Sequence, residues 1–324
     1  MQESQMISLL RTVALRGLLS GVAALLLFSS PAQGDDITLN IRRAIQLSWN
    51  RGTGSYHSVE YTIGLVTDKW IYAESVTAIA PTTTCFQLAE MPVSFYRIGV
   101  IAEDTNAWQR ATNGESGFRG IASDGTNFWA VQDDLLKRIS PTSSVPAYQT
   151  ISMSGTASNL MGLTFNGSGN LCVVSYSQGR AYEVTTESTQ VTNWPCGGPS
   201  PAGITYVPLE PGVTAAEYRV LDSNAHSYVT SADLSSIGKD AGKLPWDWHA
   251  GACELCFHHV LGGTSLVYVC YAGFPYIVKC EAATWRPLLL IRSPAASLGG
   301  IASDGATLYA SDAVDAIIYR RARP

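Results

Sequence analysis

One six-residue stretch occurs twice in this chain, as Gly-Ile-Ala-Ser-Asp-Gly at residues 120–125 and again at 300–305. Partial copies begin at Gly162 and Gly203, and a degenerate copy without glycine occupies Glu254–Phe257. In three copies an Asp-Gly or Asn-Gly pair separates alternating apolar runs, which favours a tight β-hairpin. A β unit that returns about every 45 residues is typical of a propeller blade. The sequence therefore predicts a ring of blades.

The spacing predicts five blades over residues 103–324 of an all-β chain. Six blades would result if the long stretch between the third and fourth copies held another sheet. The fifth copy contains only three strands, so the ring needs one more outer strand. Residues 106–112, which include Trp108, are the natural donor, because an unclosed ring would leave exposed sheet edges.

Residues 35–102 follow a different pattern. Short runs that alternate apolar and polar residues, separated by turn residues, predict about six strands and hence a small β-sandwich. The pattern resembles the small fibronectin-type-III-like modules of exported bacterial surface proteins, through Leu47, Ser48, Trp49, Val59, Tyr61, Trp70, Phe95, Tyr96 and Arg97. The resemblance implies a binding or spacing module without chemistry of its own.

The blades carry a second resemblance. The pattern of residues 162–184 and 299–321 resembles the blades of NHL and SMP-30/gluconolactonase-type propellers, which read roughly Gly-Ile-Ala, Asp-Gly, Leu-Tyr-Val-x-Asp and Arg-Ile. The resemblance covers residues 115–324. This resemblance implies the propeller fold. For the lactonase-like enzymes it also implies a divalent cation held by a Glu, an Asn and one or two Asp side chains. Asp312 occupies the Asp position, whereas the Glu-Gly-Pro and Pro-Asn-Gly segments of those enzymes do not occur in this sequence.

The first 34 residues predict an export signal that is cleaved before Asp35. Arg11 and Arg16 flank a 12-residue apolar run, Gly17–Phe28, that is too short to span a bilayer, and small residues precede the cleavage point. An uncleaved anchor is the alternative. We therefore expect a periplasmic, cell-surface or extracellular protein, with no membrane span in the mature chain.

The charge of the chain argues against a nucleic-acid partner. Only 15% of the residues are charged and the formal net charge is −5. Lysine and arginine cluster only in the final Arg320–Arg323, which we interpret as a solvated end. Binding to nucleic acid normally requires a basic patch on the folded surface.

Five residues are expected at one level of the propeller, where the second strand of each blade ends. They are Gln132, Ser175, Asp222, Tyr271 and Asp312. One interpretation is a ring that binds a ligand, with Asp222 and Asp312 as candidates for a divalent cation or for sugar hydroxyls. The alternative is that these polar side chains cap backbone amides of the adjoining turns.

A second candidate site is the segment Pro245–His249. Trp246 and Trp248 flank Asp247, and exposed tryptophans stack on sugar rings while an adjacent carboxylate accepts hydroxyl groups. The alternative is that both tryptophans pack in the outer part of a blade.

The chain has seven cysteines, and an exported protein can oxidise them. A hairpin centred on Gly262-Gly263 would place Cys256 opposite Cys270, at a distance suited to a disulfide, with Cys280 as a rival partner for Cys270. Cys253 and Cys256 face opposite sides of a strand, so a disulfide or a buried thiol is favoured over zinc.

No catalytic motif was found, neither a nucleophile elbow nor a phosphate-binding loop, so no catalytic residue is assigned. The leading hypothesis is an exported, non-catalytic protein that recognises a glycan or protein partner through the propeller face, without a cofactor other than a possible divalent cation. The alternatives are a metal-dependent lactonase-like hydrolase or lyase, using Asp312, Asp222 and Glu254, and a structural component of the surface.

Overall fold

The computed structural model describes residues 44–324 apart from several short stretches, which are 51–55, 63–70, 78–81, 89–94, 114–116, 141–147, 209–214, 225, 245–251, 259–265, 272 and 283. The described residues contain 26 β-strands and no helix. The N-terminal part of this region holds two small antiparallel sheets. In one, β1 (Ala44–Asn50) pairs with β4 (Thr82–Leu88). In the other, β2 (Tyr56–Thr62) lies between β3 (Ile71–Thr77) and β5 (Phe95–Val100).

The rest of the chain forms five blades, each built on four antiparallel strands, and blade IV carries a fifth strand at its rim. The first two strands after β5 are β6 (Ala102–Asp104) and β7 (Gln109–Asn113). From the axis outward, blade I consists of β8 (Ile121–Ser123), β9 (Phe128–Gln132), β10 (Leu135–Ile139) and β11 (Tyr148–Ser152), and blade II consists of β12 (Leu160–Phe165), β13 (Leu171–Ser175), β14 (Arg180–Val184) and β15 (Gln190–Pro195). Blade III consists of β16 (Pro201–Val207), β17 (Glu217–Asp222), β18 (His226–Ser231) and β19 (Lys239–Lys243), and blade IV contains β20 (Ala252–His258), β21 (Leu266–Tyr271), β22 (Tyr276–Glu281) and β23 (Pro287–Arg292). Blade V consists of β24 (Leu298–Ser303), β25 (Thr307–Asp312), β26 (Ile317–Ala322) and β7.

The five-bladed prediction is confirmed, and the six-bladed alternative is wrong. The long stretch between the third and fourth sequence copies is taken up by the outer strands β18 and β19 of blade III. The innermost strands contact one another in the order β8, β12, β16, β20 and β24, and β24 contacts β8 again, which closes the ring. Because β12 also contacts β20 on the far side, the central channel is narrow.

The recurring glycine that opens the repeats marks where neighbouring blades touch. A Cβ on Gly162 would lie 2.6 Å from the Cα of Gly203 in the next blade, and a Cβ on Gly300 would lie 2.9 Å from the Cα of Gly120. Real Cβ atoms do not approach backbone atoms this closely, so only glycine fits. The innermost strands therefore meet backbone to backbone, and this contact explains why the motif recurs at the blade period.

The second half of the repeated hexapeptide builds the hairpin turn between the first two strands. In blade I, Gly125 has φ +84°, and its N–H donates to Ser123 Oγ at 3.1 Å. Asp124 Oδ1 accepts the N–H groups of Thr126 and Asn127 at 2.8 and 2.6 Å. In blade V, Gly305 has φ +96° and the same arrangement recurs. A short side chain that accepts local amides, followed by glycine in the left-handed region, is what this turn requires.

These turns give the protein part of its acid sensitivity. Burial opposes the ionisation of Asp304, but the bonds donated by Tyr309 OH and two backbone amides outweigh it, so its pKa lies below the usual 3.8. The pKa of Asp124 is lowered in the same way. A lowered pKa in the folded state adds stability above pH 3.8, and this is lost as the pH falls through the lowered value.

We therefore predict that the Asp124→Asn/Asp304→Asn variant is less stable than the parent chain at pH 7 but loses less stability on acidification. Asparagine keeps the turn but cannot ionise, so it lacks the part of the stability that depends on charge. Urea unfolding at pH 7, 4 and 3 measures both effects. Equal losses between pH 7 and 3 in the two proteins would contradict the assignment.

The ring is closed by a strand from before the first blade, as the sequence predicted. β7 pairs antiparallel with β26 and completes blade V, although it spans 109–113 rather than the expected 106–112. Trp108, just before it, packs between blades IV and V and donates its Nε1–H to Arg292 O at 2.8 Å. Sequence analysis did not foresee β6, which pairs in parallel with β23 and makes blade IV five-stranded.

An arginine at the end of the chain ties this closing segment in place. Arg321 is 7% exposed, and its Nη2 lies 2.5 Å from Asp104 Oδ2. Its Nη1 donates to Asn106 O at 3.4 Å, and its guanidinium lies 5.5 Å from the centre of the Trp108 ring. We call residues 101–113 the clasp. Hydrogen bonding, an ion pair and a cation–π contact therefore join the clasp to blades IV and V.

The N-terminal sheets contact the rim of blade IV. The Tyr56 ring meets the rings of Phe274 and Tyr276, each with centroids 5.8 Å apart. Glu60, 2% exposed, forms an ion pair with Arg286, whose Nε lies 2.8 Å from the Glu60 Oε1 atom. The sandwich and its likeness to fibronectin type III modules stay predictions. The alternation of apolar and polar residues at 37–41 also predicts a strand, and these residues lie outside the described part of the chain.

Candidate functional site

The five residues expected at the ends of the second strands lie where the alignment of the repeats placed them. Each is the last residue of its strand, in the order Gln132, Ser175, Asp222, Tyr271 and Asp312. The first strand of each blade begins, and the fourth ends, at this same edge. We call this side of the propeller the upper face. It carries the connections between blades and the hairpins between second and third strands.

The two aspartates of this ring are engaged by their own hairpins. Asp222 Oδ1 accepts the N–H groups of Asn224 and His226, both at 2.8 Å. Asp312 Oδ1 accepts those of Val314 and Asp315, at 2.8 and 3.0 Å. Both side chains are buried, with exposures of 2% and 4%. In each carboxylate, Oδ1 therefore caps two backbone amides of the adjoining turn, as the alternative interpretation expected.

The other three members are also packed into the blades rather than projecting from them. Ser175 is fully buried, and its hydroxyl donates to Ser158 O at 2.5 Å. Tyr271 is 1% exposed and meets the Phe274 ring edge-on, with centroids 6.3 Å apart. Gln132 is half-buried beside Gly117. Four of the five side chains are therefore buried in the blades.

Within the described part of the chain, no group of three or more His, Cys, Asp and Glu side chains has the arrangement of a metal site. The two metal candidates, Asp222 and Asp312, belong to blades III and V. A search of the same residues for a helix long and apolar enough to cross a bilayer was negative.

Blade II presents a cluster of neutral polar side chains at the upper face. Ser158 and Ser177 are exposed, with their Oγ atoms 3.1 Å apart. Gln178 is exposed beside them, and its Oε1 accepts the Tyr182 hydroxyl at 2.6 Å. We call Ser158, Ser177 and Gln178 the hydroxyl–amide patch. The hydrogen bond between the two serines and the bond from Tyr182 to Gln178 hold these side chains in place, which lowers the entropic cost of binding a polar ligand.

Sequence reasoning missed an arginine at the upper end of the channel. Arg119 directly precedes the repeat glycine of blade I, and its Nη1 donates to Asn159 Oδ1 at 2.5 Å and to Met161 Sδ at 3.5 Å. Met161 holds the equivalent position in blade II, before Gly162. A signal was available, because the position before the repeat glycine is Met161, Ala202 and Gly299 in the other glycine-bearing copies and is charged only here.

A second missed group lies at the upper end of blade III. His226 Nδ1 is 3.9 Å from Asp240 Oδ1, and the His226 ring stacks on that of Tyr228 at 6.3 Å. The Tyr228 hydroxyl donates to Asp222 Oδ2 at 3.4 Å. Burial, together with the carboxylates of Asp222 and Asp240, raises the pKa of Tyr228. This group lies on the second to fourth strands, away from the axis.

The aromatic candidates Trp246, Asp247 and Trp248 lie outside the described residues. In the sequence they fall between the end of β19 and the start of β20. Their role stays a prediction.

The expected cysteine pairing is not what the strand register gives. Cys256 lies opposite Tyr268, and Cys270 lies opposite Glu254 on one side and Ile277 on the other. Cys280 lies opposite Val267 and is a buried free thiol. The correction has a simple cause: the pairs from Glu254 to His258 are symmetric about position 262, whereas pairing of Cys256 with Cys270 would require symmetry about 263, and a shift of one residue in the centre changes each partner by two residues.

Cys172, Cys196 and Cys280 should therefore resist alkylation in the native protein. All three are buried free thiols. Burial raises the pKa of Cys196 to about 12 and also raises those of Cys172 and Cys280, so almost no reactive thiolate is present. Iodoacetamide labelling followed by peptide mass spectrometry should show these sites unmodified in buffer and modified in urea. A disulfide at any of the three would block labelling in urea without reductant and would contradict the assignment.

No protein-family model matches the chain, and no curated protein matches it. Among solved structures, the glutaminyl cyclase of Myxococcus xanthus is similar, with 13% sequence identity over 67% of this chain and 95% of that one, and a TM-score of 0.48. An identity and a TM-score this low carry no argument about activity.

Proposed function

We propose that this chain is an exported recognition protein without catalytic activity, which binds a glycan outside the cytoplasm through the upper face of its propeller. The hydroxyl–amide patch is the observation that carries the proposal. Exposed hydroxyl and amide groups, held by the Ser158–Ser177 bond and by the bond from Tyr182 to Gln178, are the partners that sugar hydroxyls require.

The same face favours a glycan over a protein partner. Protein interfaces have an apolar centre with buried aromatic anchors. In the described part of the upper face, Val314 is the one exposed large hydrophobic residue, at 67%. A protein partner would have to anchor on the Trp246–Trp248 segment instead, and binding of envelope proteins without glycan in a pull-down would support it.

The lactonase-like alternative needs carboxylates that are available to a metal ion. One oxygen of Asp222 and one of Asp312 are each occupied by two backbone amides, and the two residues belong to different blades. These contacts support the binding hypothesis over the enzyme. Elemental analysis of the purified protein tests the alternative, because one equivalent of a divalent metal together with hydrolysis of a lactone substrate would favour the enzyme.

A glycan array probed with the purified protein tests the proposal. We expect the protein to bind discrete glycans on the array. The Trp246→Ala/Trp248→Ala variant should bind them at least about tenfold more weakly, because it lacks the two rings that would stack on sugar rings. Trp285→Ala is the matched control, since Trp285 lies in the hairpin between β22 and β23 on the opposite face. Binding to no glycan would overturn the proposal. An unchanged array profile in the double variant would remove the aromatic segment from the site.

A further inference from the structure

The strongest unassigned feature of the upper face is Arg119. Its backbone is fixed at the seam between blades V and I, because its carbonyl oxygen lies 2.9 Å from where a Cβ of Gly300 would be, and its N–H donates to Val131 O at 3.0 Å. The side chain then extends from the innermost strand of blade I to that of blade II. It therefore lies across the mouth of the channel between two blades.

The guanidinium is held in position by a neutral partner. Arg119 Nη1 donates to Asn159 Oδ1, and Asn159 is itself held in the left-handed region, at φ +51°, by its N–H bond to Asp134 Oδ1 at 2.9 Å. This support fixes the orientation of the guanidinium plane without neutralising its charge. Such positioning is typical of side chains that recognise a ligand group.

Part of the Arg119 guanidinium has no hydrogen-bond partner among the described residues. Within the described residues, the side-chain contacts of Arg119 are the two made by Nη1, to Asn159 and Met161, and it has no carboxylate partner. The Nε–H and the two Nη2–H groups form the edge that binds a carboxylate through two parallel hydrogen bonds. A half-buried arginine with this edge unused lacks the acidic partner that such a charge normally has.

We propose that the ligand of the upper face carries a carboxylate, and that Arg119 binds this group at the mouth of the channel. The inference rests on the proposed glycan-binding function and names the ligand class: oligosaccharides that contain a uronic acid. The hydroxyl–amide patch of blade II would then receive the hydroxyl groups of neighbouring sugars, since Ser158 directly precedes the Asn159 that holds Arg119.

The test is an array in which each uronate-containing oligosaccharide, such as a galacturonate trimer, stands beside its carboxyl-reduced neutral counterpart. We expect the protein to prefer the acidic member of a bound pair by roughly ten- to a hundredfold, the range of charge-assisted hydrogen bonds. Arg119→Met should abolish the preference but leave binding of the neutral member, and Arg119→Lys should retain part of the preference.

Arg180→Met is the matched control. Arg180 is half-buried, and its guanidinium also binds an asparagine, donating from Nε to Asn193 Oδ1 at 2.9 Å, but it lies on the third strand of blade II, away from the axis. The Arg180→Met variant should keep the preference for acidic glycans, so a loss of this preference in both variants would indicate a general charge effect and overturn the inference.

Equal binding of acidic and neutral members by the parent protein would also overturn the inference while leaving glycan binding intact. Absence of any glycan binding would overturn both. Thermal melts of each variant check that the fold is intact.

Discussion

Replacing Gly162 by alanine should destabilise the protein by about 3 kcal/mol, the upper end of the usual range for overpacking. A Cβ at this position would lie 2.6–2.9 Å from three backbone atoms of Gly203 and Ile204 in the next blade. Backbone atoms cannot rotate away as the end of a side chain can, so the innermost strands of blades II and III would have to separate. Urea unfolding of the two proteins measures the difference.

Gly169→Ala is the matched control in the same blade. Gly169 also has a constrained backbone, with φ +78°, but nothing lies within 4 Å of its would-be Cβ. It should lose only about 1 kcal/mol, the cost of placing alanine in the left-handed region. Similar losses for the two variants would mean that the spacing between the blades is not the reason for the glycine at 162.

Replacing Arg321 by methionine should cost about 3–5 kcal/mol, because it leaves the largely buried Asp104 carboxylate without its counter-ion. The change also removes the contact with the Trp108 ring. The expected outcome is a large fall in the urea midpoint, with the clasp detached before the other blades unfold. Hydrogen exchange in β7 and β26 should report that detachment.

Two further variants separate this effect from simple loss of charge. Arg320→Met removes an exposed arginine from the same strand and should change stability by less than about 0.5 kcal/mol. Asp104→Leu combined with Arg321→Met should recover much of the stability, because no buried charge is then left unpaired. If the double variant were as unstable as the sum of the single variants, the ion pair would not be what holds the clasp.

The architecture was predictable because the blade contacts impose a residue type at a fixed interval. Gly120, Gly162, Gly203 and Gly300 are set by backbone contact between blades, and the Asp-Gly pairs by the turns. Closure by the segment around Trp108 was predictable from the incomplete fifth copy. The parallel strand β6 was not, since three residues of edge pairing leave no periodic signal.

The site was less predictable than the fold. Alignment of the copies correctly placed Asp222 and Asp312 at the ends of the second strands. The hydrogen bonds that occupy their carboxylates depend on the geometry of the hairpins, which could not be derived from the amino-acid sequence. Arg119 was missed because the alignment of the copies began at the repeat glycine, Gly120, and did not include the residue that precedes this glycine in each copy. The cysteine pairing failed because the β20–β21 ladder is centred one residue earlier than assumed, which changes which residues are opposite.

The clasp also determines when the ring can form during synthesis. Asp104 and Arg321 are 217 residues apart in sequence, and Trp108 and Arg292 are 184 apart. The strand that completes blade V is made before any blade, but its partner β26 follows every other strand of the five blades. Until β26 is made, β7 cannot pair with it, and contacts this distant in sequence form slowly. Closure should therefore come after the other strands have been made, and a chain cut before β26 would remain an open array with unpaired sheet edges.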